Sequence, residues 1–195
     1  MIKQQQSICN GCTLKGRGFV PGEGPVPCRV MFIAEAPGAD EAFRSHRPMT
    51  GKAGRLFDFL LNENGLERDS VYVTNTVKCN PPDNRDPTTD EVMRCSHYLI
   101  DEIGDVKPEI IIAVGAVALK NLRPTTNIEY QWGIPIIGKY ETVIPIYHPA
   151  LGYHMPRMLP MIFAGFKMAA EYIKNGYSRW EQDTVITNYK RKGRN

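Results

Sequence analysis

Four short runs of this chain are almost continuously apolar and rich in β-branched residues: Arg29 to Ala34, Val71 to Asn75, Glu109 to Val114 and Val143 to Tyr147. Runs of that length without polar alternation mark strands buried on both faces. Between them the spacing changes to that of helices. Over Ala53 to Glu63, Leu56, Phe57, Leu60 and Leu61 share one face, while Asp58 and Asn62 fall on the other. Thr88-Thr89-Asp90-Glu91 has the form of a capping box. Beyond it Val92, Cys95, Leu99 and Ile103 recur at helical spacing, which puts Cys95 on the inward stripe. Gly115 to Leu122 predicts a short third helix, and Leu159 to Lys174 a longer last one that tolerates Pro160 in its first turn. Strands alternating with helices predict an α/β fold: a single domain whose central four-stranded, mostly parallel sheet is flanked by helices.

The length of 195 residues suits one domain with a real core, expected over 1–180, followed by a flexible basic tail over 181–195. The formal charge is +3, but Tyr189 to Asn195 holds four of the 24 basic residues, leaving 20 basic against 21 acidic elsewhere. A nucleic-acid surface on this chain is therefore a local patch and not a global field. The start, Met1 to Gln6, is polar, and no apolar run approaches the roughly 18 residues of a membrane span. No repeat or low-complexity tract interrupts the pattern. These features predict a reducing, cytoplasmic setting, nucleoid-associated in a prokaryote or phage, where structural disulfides are rare.

Against that background the cysteines change the picture. Cys9, Cys12, Cys79 and Cys95 fall as C-x2-C, then 66 residues, then C-x15-C. Gly11 lets the first pair curl into a turn, and the second pair flanks Asn80 to Pro87, too rich in proline and turn formers for a helix or strand. Soft thiolates select zinc or iron–sulfur clusters, and the spacing alone does not choose between them. Either group would staple the N-terminus to the middle of the fold. Cys28 leads directly into the first apolar run and reads as a packed, unligated thiol.

Ligands of open α/β sheets bind beyond the carboxyl ends of the strands. The four strand ends here are followed or closed by Ala34-Glu35-Ala36-Pro37-Gly38-Ala39-Asp40-Glu41, by Thr74-Asn75-Thr76, by Gly115-Ala116, and by Tyr147-His148-Pro149-Ala150. Carboxylates, an asparagine and a histidine on one rim point to a site, where one such residue would be an ordinary cap.

The chain resembles the iron–sulfur uracil-DNA glycosylases, family 4 of that superfamily, over roughly residues 8 to 175. The matching pieces are Cys9-Asn10-Gly11-Cys12, Glu35-Ala36-Pro37-Gly38, Arg47-Pro48 with Gly51-Lys52-Ala53-Gly54-Arg55, Val71 to Cys79, Asn84-Arg85-Asp86-Pro87 with Glu91 and Cys95, and His148-Pro149-Ala150. The resemblance implies a structural 4Fe-4S cluster on the cysteine quartet, with zinc the lesser alternative. It also implies a monomer that hydrolyses the N-glycosidic bond of uracil flipped from single- or double-stranded DNA, initiating base excision repair.

By the same resemblance His148 donates to uracil O2, stabilising the departing anion. Asn75 faces the Watson–Crick edge, where an amide offers one donor and one acceptor. Glu35, Ala36, Pro37 and Gly38 line the base site, with backbone N–H groups around Pro37 and Gly38 as further donors. Glu41, with Asp40 as the alternative, matches the carboxylate near the attacking water. Gly51, Lys52 and Ala53 offer helix N-terminal amides to a phosphate, with Lys52 and Arg17 as charge partners. The stretch from Pro149 through Met155 corresponds to the loop that wedges into the base stack, with Leu151, Tyr153 and Met155 as candidates.

Two features depart from the family pattern: the interval from the acidic pair to Arg47-Pro48 is one residue longer than usual, which leaves both Asp40 and Glu41 as matches for the carboxylate, and the stacking position is changed. Where the family has a phenylalanine that stacks on the base, this chain has Met49, which keeps open a second reading in which the same chemistry acts on a modified pyrimidine. A third reading is a non-catalytic cluster- or zinc-bearing nucleic-acid-binding module, against which Asn75 and His148 both speak. Residues Asn80 to Thr88 contain no histidine, so the covalent sugar trap of some superfamily members is not expected.

Overall fold

The computed structural model describes residues 9–139 and 141–176; the basic tail expected over 181–195 lies outside them. Its centre is a sheet of β1 (Val30–Ala34), β2 (Tyr72–Asn75), β3 (Ile110–Val114), β4 (Ile136–Ile137) and β5 (Thr142–Ile146), in the order β2-β1-β3-β5-β4. β2, β1, β3 and β5 run parallel, and β4 closes one edge antiparallel, pairing Ile136 with Val143 and Ile137 with Thr142. The four expected strands are the parallel ones. The fifth is two residues long, too short to show a period.

The helices are α1 (Lys52–Glu63), α2 (Thr89–Val106), α3 (Ala116–Leu122), the single turns α4 (Ile128–Gln131) and α5 (Leu151–His154), and α6 (Leu159–Asn175). α2 begins as its sequence predicts: the Glu91 N–H donates to Thr88 Oγ1 at 3.2 Å, and the Thr88 N–H donates to Glu91 Oε2 at 2.7 Å. The Asn80 to Pro87 segment, expected to be irregular, contains one 3₁₀ turn at Pro82–Asn84.

Two apolar layers sandwich the sheet because successive strand side chains alternate faces. In β1, Phe32 packs with Phe57, Leu60, Ile162 and Phe166 from α1 and α6, while Met31 and Ile33 pack with Leu99, Val106 and Leu119 from α2 and α3. Cys28 is buried beside the second layer, as expected of a packed thiol.

Residues 19–23 run antiparallel along the outer edge of β2, with bridges Phe19 to Cys79 and Glu23 to Val73. The backbone pairs Val20 N–H with Lys78 O at 2.7 Å and Glu23 N–H with Val73 O at 2.9 Å. This segment covers an otherwise open strand edge and brings the N-terminal cysteine turn to Cys79. No helix among the described residues is long and apolar enough to cross a membrane.

Candidate active site and cysteine centre

The strand register aligns the carboxyl ends: Ala34 lies beside Asn75, and Val114 beside Ile146. Asn75 on β2 and the segment after β5 are separated by three inter-strand steps, about 14 Å, along one rim of the sheet. Asn75 has no exposed surface, and neither its Oδ1 nor its Nδ2 has a hydrogen-bond partner. A buried amide with both functions unpaired is costly unless a ligand completes it.

His148 faces this rim from two residues beyond β5. The Ala150 N–H donates to its Nδ1 at 3.1 Å, so a neutral ring must carry its proton on Nε2 and present it as a donor. Burial pushes its pKa down to about 4, which keeps the ring neutral near pH 7. Gly115, at the end of β3, has φ +96°, and a Cβ there would stand 3.3 Å from His148 Cβ. Glycine thus serves both the turn and the close approach.

After β1, Glu35 is half-buried, and burial together with the nearby Asp86 carboxylate raises its pKa to about 7. The Pro37–Gly38 turn is held from two sides: Asn80 Nδ2 donates to Pro37 O at 2.9 Å, and the Gly38 N–H donates to Glu41 Oε2 at 3.1 Å. Gly38 therefore has its N–H engaged by the protein, contrary to the expectation that it is offered to a ligand. Ala36 is partly exposed and packs beside the cysteine cluster.

Asp40 and Glu41 have partners of their own. Asp40 is exposed and pairs with Arg44 at 3.1 Å. Glu41 is 6 % exposed, and its Oε1 accepts from the N–H groups of Thr50 at 3.1 Å and Gly51 at 3.2 Å. Burial raises its pKa, while the N–H groups of Gly51, Gly38, Thr50 and Met49 oppose the shift. Three backbone N–H groups, of Gly38, Thr50 and Gly51, donate to its two oxygens, so Glu41 ties the Gly38 turn to the Thr50–Gly51 segment.

Met49 has φ +52° and is 3 % exposed, packed in the layer with Phe57. Arg68 holds its loop by donating to Pro48 O at 2.6 Å and Met49 O at 3.4 Å. A Cβ on Gly54 would meet Met49 O at 2.1 Å, so that glycine of the Gly51–Arg55 motif serves packing. At the start of α1 the Gly51 N–H is engaged by Glu41, Ala53 is half-buried and Lys52 is exposed.

The loop after His148 is anchored to α1. Lys52 Nζ sits 4.4 Å from the centre of the Tyr153 ring, and Tyr153 Oη donates to Lys52 O at 3.0 Å. Pro149 is buried, Leu151 packs against the core, and Tyr153 and Met155 are exposed. Arg17, expected as a phosphate partner, donates instead to Asn80 O at 2.8 Å.

Cys9, Cys12, Cys79 and Cys95 line one pocket with Leu14, Phe19 and Tyr98. Cys9 Sγ and Tyr98 Oη are 3.2 Å apart, and the Lys78 N–H donates to Cys95 Sγ at 3.2 Å. Burial pushes the Cys95 thiol up to about 12, so as a bare side chain it is protonated. Among the described residues no group of three or more His, Cys, Asp or Glu could hold a single metal ion. Glu91 joins the cysteine turn to α2, accepting from Thr13 Oγ1 at 2.6 Å and from Arg85 at 2.7 and 2.8 Å.

Sequence reasoning did not assign roles to Lys78, Asn80, Arg68 or Glu102. For Glu102 a signal existed: it falls seven residues after Cys95, on the inward stripe of α2, where a carboxylate needs a buried partner.

The uracil DNA glycosylase superfamily model matches residues 21–171. A Type-4 uracil-DNA glycosylase of Saccharolobus solfataricus is 35% identical over 187 residues, covering 90% of this chain and 86% of that protein. One from Archaeoglobus fulgidus is 35% identical over 181 residues (87% and 90%), and one from Sulfurisphaera tokodaii 37% over 182 (87% and 82%). The rim of strand ends and these likenesses over most of the chain agree, and the chain belongs to the uracil DNA glycosylase superfamily.

Proposed function

We propose that this protein is a monofunctional uracil-DNA glycosylase that hydrolyses the bond between deoxyribose C1′ and the uracil nitrogen, initiating base excision repair. The observation that carries the reading is the enclosed, unpartnered amide of Asn75. Uracil presents O4 as an acceptor beside N3–H as a donor, so one amide orientation satisfies both, whereas cytosine inverts the pattern.

As the bond lengthens, the sugar becomes cationic and the base anionic. His148 Nε2–H stabilises the anion at O2 as a neutral donor, an orientation that the Ala150 N–H supports. The Pro37–Gly38 turn forms one wall of the base site through its shape, and Glu41 and Asn80 hold that turn. Met49 covers the pocket floor from the core. Lys52, Ala53 and the Pro149–Met155 loop face the DNA strand, with Lys52 as the phosphate partner and Met155 as the exposed apolar side chain nearest a wedge.

Cys9, Cys12, Cys79 and Cys95 hold a 4Fe-4S cluster in this reading. Four thiols lining one pocket suit a cluster that takes one thiolate per iron. The Lys78 N–H on Cys95 suits an anionic sulfur. The cluster supplies a cross-link between the N-terminal turn and the middle of the fold.

The test is release of free base from oligonucleotides carrying uracil, cytosine, thymine, hypoxanthine or a 5-substituted uracil. Uracil release that Asn75→Asp impairs is expected. A wild type that ignores uracil and releases a modified pyrimidine instead overturns the substrate assignment.

A further inference from the structure

Lys78 and Glu102 form an enclosed ion pair that the glycosidic chemistry does not use. Lys78 has no exposed surface, Glu102 is 4 % exposed, and Nζ and Oε2 are 2.6 Å apart. Taking two charges out of water is expensive, and an apolar pair of similar volume is often as stable. The geometry around the pair indicates what it does instead.

The Lys78 ammonium directs its three donors at Glu102 Oε2, Thr74 Oγ1 and the backbone carbonyl of Asn75, the last at 2.8 Å. Thr74 Oγ1 also donates to Glu102 Oε2 at 2.7 Å, and the Gly22 N–H donates to Glu102 Oε1 at 3.0 Å. The main chain of the same lysine faces the other way: its N–H donates to Cys95 Sγ at 3.2 Å. The Asn75 amide has no protein partner of its own, so its direction depends on how its backbone is held.

We infer that Lys78, with Glu102 as its counter-charge, is a positioning residue that sets the Asn75 amide and ties the base-reading end of β2 to the cysteine centre. The inference rests on the reading of Asn75 given above. A saturated ammonium is a stiff anchor, because its three donors join two elements: the end of β2, at Thr74 Oγ1 and the Asn75 carbonyl, and α2, at Glu102.

Either single substitution strands a buried charge and risks misfolding, so the test uses Lys78→Met with Glu102→Gln, which is uncharged, keeps an oxygen acceptor for the Gly22 N–H and turns an NH2 donor toward the Thr74 hydroxyl, which can accept. Thr74→Val, which removes one partner of the ammonium without leaving a charge, is the second variant. Thermal midpoint and iron content are recorded for each. Single-turnover release of uracil and cytosine is then measured, together with the Kd for an oligonucleotide carrying 2′-fluoro-2′-deoxyuridine, whose fluorine opposes a cationic sugar and blocks cleavage.

The expected result for the double variant is uracil release slower by roughly 10-fold or more, the scale of one charged hydrogen bond. Binding of the fluorinated analogue weakens and the preference for uracil over cytosine narrows, with iron content unchanged; Thr74→Val moves the same way by less. Wild-type rate, preference and affinity in the double variant, while Asn75→Asp is impaired in the same assay, overturn the positioning role and leave the function standing. Should the double variant fail to fold, wild-type behaviour of Thr74→Val overturns it equally. Unimpaired Asn75→Asp removes the base-reading assignment, and this inference falls with it.

Discussion

The Ala150 N–H donates to Nδ1 of His148 at 3.1 Å, leaving Nε2 as the ring's proton-bearing atom. A neutral Nε2–H donor can stabilise a leaving group that becomes anionic near pH 7 without the ring first taking up a proton from solvent. His148→Ala should lower single-turnover uracil release by roughly 10² to 10³ while leaving DNA affinity nearly intact. With the ring held down to about 4, the wild-type rate should show no histidine inflection near pH 6.5. A step there that disappears in His148→Ala would mean that the ring titrates as an ordinary imidazole.

Glu41 should behave as a backbone clamp. Its two oxygens accept from Gly38, Thr50 and Gly51, and in Glu41→Gln one of them becomes an NH2 facing an N–H donor. A loss of about 2 kcal/mol is expected for a buried donor left unsatisfied, or roughly 4–8 °C in Tm for a chain of this size. The variant's Kd for the fluorinated analogue should rise as the turn loosens. An unchanged Tm with a selective loss of rate would return Glu41 to the attacking water.

Glu35 links stability to pH. Its folded-state pKa is raised from 4.5 to about 7, chiefly by burial and then by Asp86. The group therefore contributes stability fully below about pH 4.5 and loses it as pH rises through about 7. Glu35→Gln cannot ionise, so its Tm should gain on wild type between pH 4.5 and 7.5. Parallel Tm curves for the two proteins across that window would contradict the shift.

Cys79 lies against two segments at once: it pairs with Phe19 in a β-bridge and lines the same pocket as Cys95. Cys79→Ser should lose iron and the broad violet absorbance, and stability should fall before chemistry does, since the cross-link joins distant stretches. Stoichiometric zinc without iron in anaerobically purified protein would replace the cluster with a single ion.

The four parallel strands were legible because their hydrophobicity is local: a run such as Val30 to Ala34 is buried on both faces, and no polar residue interrupts it. The start of α2 was equally legible, since Thr88 and Glu91 bond within one turn. The order of pieces that marks the family and the positions of Asn75 and His148 at strand ends also follow from the chain as written. Tertiary structure decided the partners. Lys78 meets Glu102 across 24 residues and Tyr153 meets Lys52 across 101, distances over which periodicity carries no information. The Gly38 N–H, a candidate ligand donor in the chain as written, is taken by Glu41 in the fold. Residue type and spacing determine which side chains can do chemistry. Which of their hydrogen bonds remain open to a substrate depends on every other group the fold brings within 3 Å or so, and that is a property of the packed molecule alone.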